Sequence, residues 1–159
     1  MPSTQIRRHI HAPRAAVYRA LIDREAIARW KVPLGMTCHV HVFEPWEGGA
    51  YRISLTYDAP TGTGKTTSHT DTYHGRFAKL VPNEQVVEVT EFETDNPAMQ
   101  GAMTVTMTLS DVDGGTELFA VHDNVPTGVS PADNELGWRE SLGKLAAFVE
   151  RGGNAPASS

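Results

Sequence analysis

At 159 residues, with 40% hydrophobic and 21% charged side chains, the chain can bury one core unaided by disulfides or metal, and reads as a single domain over 1–151 followed by a small, polar tail at 152–159. A formal net charge of −5, with no run of Lys or Arg, argues against nucleic acid or an anionic membrane as partner. Cys38 is the one cysteine, which excludes an internal disulfide and a Cys-rich zinc site; with no hydrophobic leader and no apolar run of bilayer length, the expectation is a cytoplasmic protein.

The first strand is expected at 3–10, where Ile6 and Ile10 share the inward parity. Pro13 opens a short helix in which Val17 and Leu21, and Tyr18 and Ile22, lie one turn apart. Asp23 caps a second short helix with Ala26, Ile27 and Trp30 on one face, and Pro33 and Gly35 end it. The period then changes to two. Strands are expected at 36–43, 50–57, 70–80, 85–92, 103–109 and 116–125, separated by Gly48-Gly49, Pro82-Asn83, Asp95-Asn96-Pro97 and Asp113-Gly114-Gly115.

The last and strongest helical signal covers 130–151. Ser130 suits the N-cap, Pro131 the first helical position and Asp133 the positive helix start, while Gly152-Gly153 marks the stop. Trp138, Leu142, Leu145 and Val149 fall on one line, with Arg139, Glu140, Lys144 and Glu150 expected on the far side. Short turns make the strands antiparallel, so one face is buried: Tyr51, Ile53, Leu55 and Tyr57 on one strand, Met103, Val105, Met107 and Leu109 on another. The fold class is therefore α+β, a curved seven-stranded antiparallel sheet wrapped around the long C-terminal helix, with two short helices after the first strand. A sheet curled on one helix leaves a gap suited to a small molecule.

Several local motifs now fall in a recognisable order. Ile10 with Ala12-Pro13 and Val17, the Ala20-Leu21 step, Trp30 with Pro33 and Gly35, Gly48-Gly49 before Tyr51, Tyr73 with Gly75, His122, and Gly137-Trp138 followed by Leu142 and Leu145 together resemble the START-like (SRPBCC, Bet v-like) or helix-grip superfamily. The nearest likeness is to the branch named for homology to the activator of the heat-shock protein 90 ATPase. Lys31 departs from it, standing where relatives often carry a second tryptophan. The resemblance implies a ligand cavity without naming the ligand, since the same fold serves ligand carriers, lipid transfer domains and cyclases. It also brings a stress-related, chaperone-regulating role into view.

Two stretches mimic other chemistries. The segment 59–66, APTGTGKT, fits a relaxed phosphate-loop pattern, but it runs into a strand rather than a helix and reads as a polar hairpin tip. His39 and His41 point to one side of a strand, with His74 or His122 as further ligands, yet no carboxylate follows at a metal-binding spacing, so no metal and no cofactor are expected.

The expected ligand-contacting residues are Trp30, Tyr51, Ile53, Leu55, Tyr73, Met103, Val105, His122, Asn134, Trp138 and Leu142, with Asp123, Asn124 and the segment 126–130 as one rim. His122, one turn from Asn134, is the single candidate general acid or base, and Glu91 joins it if its strand turns the Val87–Val89 parity inward. No catalytic residue is otherwise indicated. The leading expectation is binding of a small hydrophobic or amphipathic ligand. The alternatives are a regulator of a chaperone ATPase acting through protein binding, and a cyclase, dehydratase or hydrolase using His122; a homodimer is a general prior.

Overall fold

The structure is a computed structural model that describes residues 3–32, 35–57 and 70–151. β1 (Ser3–Ile10) is followed by α1 (Arg14–Leu21), α2 (Arg24–Trp30), β2 (Met36–Phe43), β3 (Ala50–Tyr57), β4 (Thr70–Val81), β5 (Gln85–Phe92), β6 (Met103–Val112), β7 (Gly115–Asp123) and α3 (Pro131–Glu150). A single 3₁₀ turn, Pro97–Met99, was not anticipated; Asn96 caps it by accepting from the Ala98 N–H. The phosphate-loop-like segment 59–66, Pro33 and the tail 152–159 lie outside the described residues.

The strands form one antiparallel sheet in the order β1-β7-β6-β5-β4-β3-β2, so every neighbour except β1–β7 is joined in sequence. Its register slips between Val40 and Val42 and between Phe77 and Lys79, and such irregularities bend a strand and increase its twist. The curled sheet encloses a core of Ile6, Ile10, Ile53, Phe77, Val86, Val105, Met107, Leu118 and Ala120, covered by Val17, Leu21, Ile27 and Trp30 of the short helices.

Local signals act as their chemistry requires. The Asp23 carboxylate accepts from the N–H groups of Glu25 and Ala26 at 2.8 and 3.0 Å, and the Ser130 hydroxyl accepts from Asp133 N–H at 3.3 Å. In α3 only the second half is closely packed: Ser141, Leu142, Leu145, Ala146 and Val149 are buried. The helix packs on β1, α2 and α1, and stands away from the central strands. Trp46, a large aromatic of a type usually buried, is 58% exposed on the β2–β3 turn. Among the described residues no helix is long and apolar enough to cross a membrane.

One glycine fixes the position of an aromatic wall. Gly75 pairs with Tyr51 across β3–β4, and a Cβ there would overlap the Val89 carbonyl oxygen and come within 2.8 Å of the Tyr51 hydroxyl. The missing side chain is what lets the Tyr51 ring lie against β4. Gly75→Ala is expected to cost about 1–3 kcal/mol through overpacking, read as a lower urea midpoint; an unchanged midpoint would show that the ring has room to move aside.

Candidate functional site

Where α3 stands off the sheet, a cavity of about 480 Å³ opens between them. Tyr51, Leu55 and Tyr57 of β3, Tyr73 of β4, Phe92 of β5, and Met103 and Val105 of β6 form its apolar walls, with Trp138 coming from α3. The rim consists of Pro126, Gly128, Val129 and Ser130 on one side and Met99 on the other. These two sides are fastened together: Gly128 N–H donates to Ala98 O at 2.7 Å, and a Cβ on Gly128 would come within 2.8 Å of the Ala98 methyl. The expected rim at 126–130 is therefore part of the entrance, closed against a 3₁₀ turn.

The floor is charged. Lys31 follows the last turn of α2, its N–H closing on Ile27 O, and turns its side chain into the cavity. Its Nζ lies 2.8 Å from Oε1 of Glu88, with the two side chains 8% and 2% exposed. The same ammonium lies 4.9, 5.7 and 6.0 Å from the ring centres of Tyr51, Tyr73 and Trp138. A cation so desolvated needs both a counter-ion and polarisable neighbours, and here it has both. Beneath it the Tyr51 hydroxyl, beside Glu88 and Thr90, has no hydrogen-bond partner among the described residues. Burial, reinforced by the Glu88 charge, holds that phenol well above its ordinary range, so it keeps its proton at physiological pH. Cys38, also near Lys31, is pushed up to about 11 by burial and is a thiol rather than a nucleophile.

His122 sits behind the cavity instead of in it. It is fully buried at the end of β7, and its Nδ1 accepts from the Asn134 amide at 3.0 Å, while the same amide donates to Thr4 Oγ1 at 3.1 Å. The ring meets Trp138 at 4.5 Å between centroids, inclined by 69°, and its Nε2 lacks a partner among the described residues. Burial, with a smaller push from Lys31, lowers its pKa to about 4, so the imidazole is neutral at physiological pH.

Of the residues expected to contact a ligand, Tyr51, Leu55, Tyr73, Met103, Val105, Asn134 and Trp138 line the cavity. Trp30, Ile53, His122 and Leu142 do not; all four are buried within the core, where Trp30 donates its indole N–H to Ala20 O at 2.9 Å. The parity of β5, open in the sequence, is set against Glu91. Val86, Glu88 and Thr90 are buried, whereas Val87 and Val89 are only partly so and Glu91 is exposed, reaching the cavity from its mouth. Glu140, placed by helical periodicity on the far side of α3, also lines the cavity.

Sequence reasoning thus passed over Lys31, Glu88 and Thr90. The available signal was Lys31 itself: it directly follows Trp30 on the buried face of α2, a cation buried there requires a carboxylate, and Glu88 is the one carboxylate on the inward parity of β5. Among the described residues no cluster of His, Cys, Asp and Glu could hold a metal ion.

The family described as Activator of Hsp90 ATPase homolog 1-like protein matches residues 11–150 of this chain. Among solved structures, protein CV1439 from Chromobacterium violaceum is 32% identical, with 94% of this chain and 97% of that one aligned at a TM-score of 0.84. A Rhodobacter sphaeroides protein (23% identity, 94% and 93% covered, TM-score 0.77) and an AHSA1-like protein from Aeromonas hydrophila (20% identity, 95% and 94% covered, TM-score 0.71) share the fold. No curated protein matches the chain.

Proposed function

The chain belongs to the Activator of Hsp90 ATPase homolog 1-like family, and from its cavity we propose that it binds a small hydrophobic or amphipathic molecule between the sheet and α3. The observation that carries this reading is the juxtaposition of apolar aromatic walls with a single buried ammonium. A cavity of about 480 Å³ falls in the range of roughly 300–1,000 Å³ typical of small-molecule sites, which combine apolar lining with few, fixed polar groups. A core built only for stability gains nothing from such a void, because unfilled volume forfeits dispersion contacts. Turnover through His122 is disfavoured, since Asn134 occupies its Nδ1, Trp138 packs against its ring, and the imidazole does not line the site.

Native mass spectrometry of the freshly purified protein is expected to show a bound apolar molecule, identifiable after organic extraction. Adding that molecule back should raise the unfolding free energy with concentration, by about 2.7 kcal/mol at a hundredfold excess over Kd. A protein that carries nothing and is not stabilised by any of a broad set of aromatic and lipid-like compounds would overturn the reading and shift weight to a protein-binding role.

A further inference from the structure

Resting on the cavity-binding reading, we propose that the ligand is a neutral, ring-bearing molecule with a carbonyl oxygen at its inner end, which accepts a hydrogen bond from Lys31. An ammonium has three donors. Glu88 takes one, through Oε1, and Lys31 makes no other hydrogen bond among the described residues. The remaining donors belong to a side chain that lines the cavity; Glu88 lines it as well, 2% exposed and already engaged as the counter-ion of Lys31. What faces an incoming molecule is therefore a donor, and a wholly hydrocarbon ligand would bury it without an acceptor, at a cost in affinity.

Charge selects among acceptors. Glu88 already neutralises Lys31, so a ligand carboxylate would add an uncompensated charge to an apolar enclosure. At the mouth the site also presents the carboxylates of Glu91 and Asp133. That field opposes the entry of anions. A carbonyl oxygen accepts strongly from an ammonium and brings no net charge. The walls add the second requirement: Tyr51 meets Tyr73 edge to face at 6.3 Å and Tyr73 meets Phe92 likewise at 6.5 Å, an arrangement that presents both ring faces and ring edges to a flat guest.

The proposal is tested on the full chain with three probes of one shape: 2-acetylnaphthalene, 2-ethylnaphthalene and 2-naphthoate, titrated by calorimetry. The ketone is expected to bind about tenfold or more tightly than the ethyl compound, as a hydrogen bond to a charged donor would give, and more tightly than the carboxylate. In a Lys31→Met/Glu88→Leu variant, which removes both charges together, the ketone should lose its advantage over the ethyl compound and the two should bind alike. Equal binding of ketone and ethyl compounds by the unmodified protein would overturn the proposal and leave the cavity reading standing. Tightest binding of the carboxylate would overturn it in favour of an anionic ligand, and no binding of any probe would count against both. The comparison on the unmodified chain decides the matter even if the double variant does not fold.

Discussion

Lys31→Met alone is expected to destabilise the protein by about 3–5 kcal/mol at neutral pH, because it leaves Glu88 buried without its counter-ion. The effect is one of desolvation rather than lost attraction. With Lys31 gone, the carboxylate has no remaining ion-pair partner among the described residues, its cross-strand neighbours are Phe77 and Val105 with Tyr51 beside it, and the group must either be hydrated by local opening or take up a proton. Two consequences separate this from a simple packing defect. The deficit should shrink as pH falls, since a protonated Glu88 needs no counter-ion, and Lys31→Met/Glu88→Leu should recover most of it, because an apolar pair of similar volume is often as stable as a buried ion pair. Urea denaturation of the three proteins at pH 7 and pH 5 reads both. A double variant no more stable than Lys31→Met would mean that the lysine stem, and not the charge balance, is what the core requires.

Acid is expected to weaken the fold through His122. In the unfolded chain its imidazole takes a proton near the ordinary value of 6.5, but in the folded protein it resists protonation until about pH 4. Between those values the unfolded state binds more protons, so stability is complete above pH 6.5 and falls as pH drops through the window, by about 3 kcal/mol in all. Burial is the larger cause and the positive charge of Lys31 the smaller. Protonation would also add a hydrogen to the Nδ1 that now accepts from Asn134, turning a hydrogen bond into a contact of two donors. His122→Asn keeps an acceptor near that position and removes the titration. Its unfolding free energy should therefore change less between pH 7 and pH 4 than that of the unmodified protein, and parallel pH profiles would assign the acid sensitivity to other groups, such as Glu93, whose carboxyl is held low by hydrogen bonding to Arg52.

Much of the architecture was legible because the signals that set it are local. Caps at Asp23 and Ser130, the Pro131 start and the turn glycines bound the helices and strands closely, and the alternation in β3 and β6 named their buried face. Where local rules had nothing to say, the reading failed. In β5 both parities carry valine, so hydrophobic pattern could not choose between them; the sheet turns Glu88 inward because Lys31, 57 residues away, supplies its partner. Trp30 and Trp46 have the same intrinsic preference for burial and opposite fates, one locked to Ala20 O in the core and the other exposed on a turn. Helical periodicity puts Glu140 on the far side of α3, yet it lines the cavity, because the first half of the helix stands over a void. The strands of the site could be read from sequence; its electrostatics depend on pairs that only the folded chain brings together.

That uneven seating of α3 has a kinetic meaning. Its second half is anchored by Leu142, Leu145, Ala146 and Val149, while the turns above the cavity are held mainly by the Asn134 tether to Thr4 and His122 and by Trp138. On the cavity-binding reading, a guest would enter or leave when those turns loosen locally, without the core being disturbed. Such an opening acts as a common gate on both directions: changes that tighten the tether slow capture and escape by the same factor, so residence time can be altered while equilibrium affinity stays where the walls and floor set it.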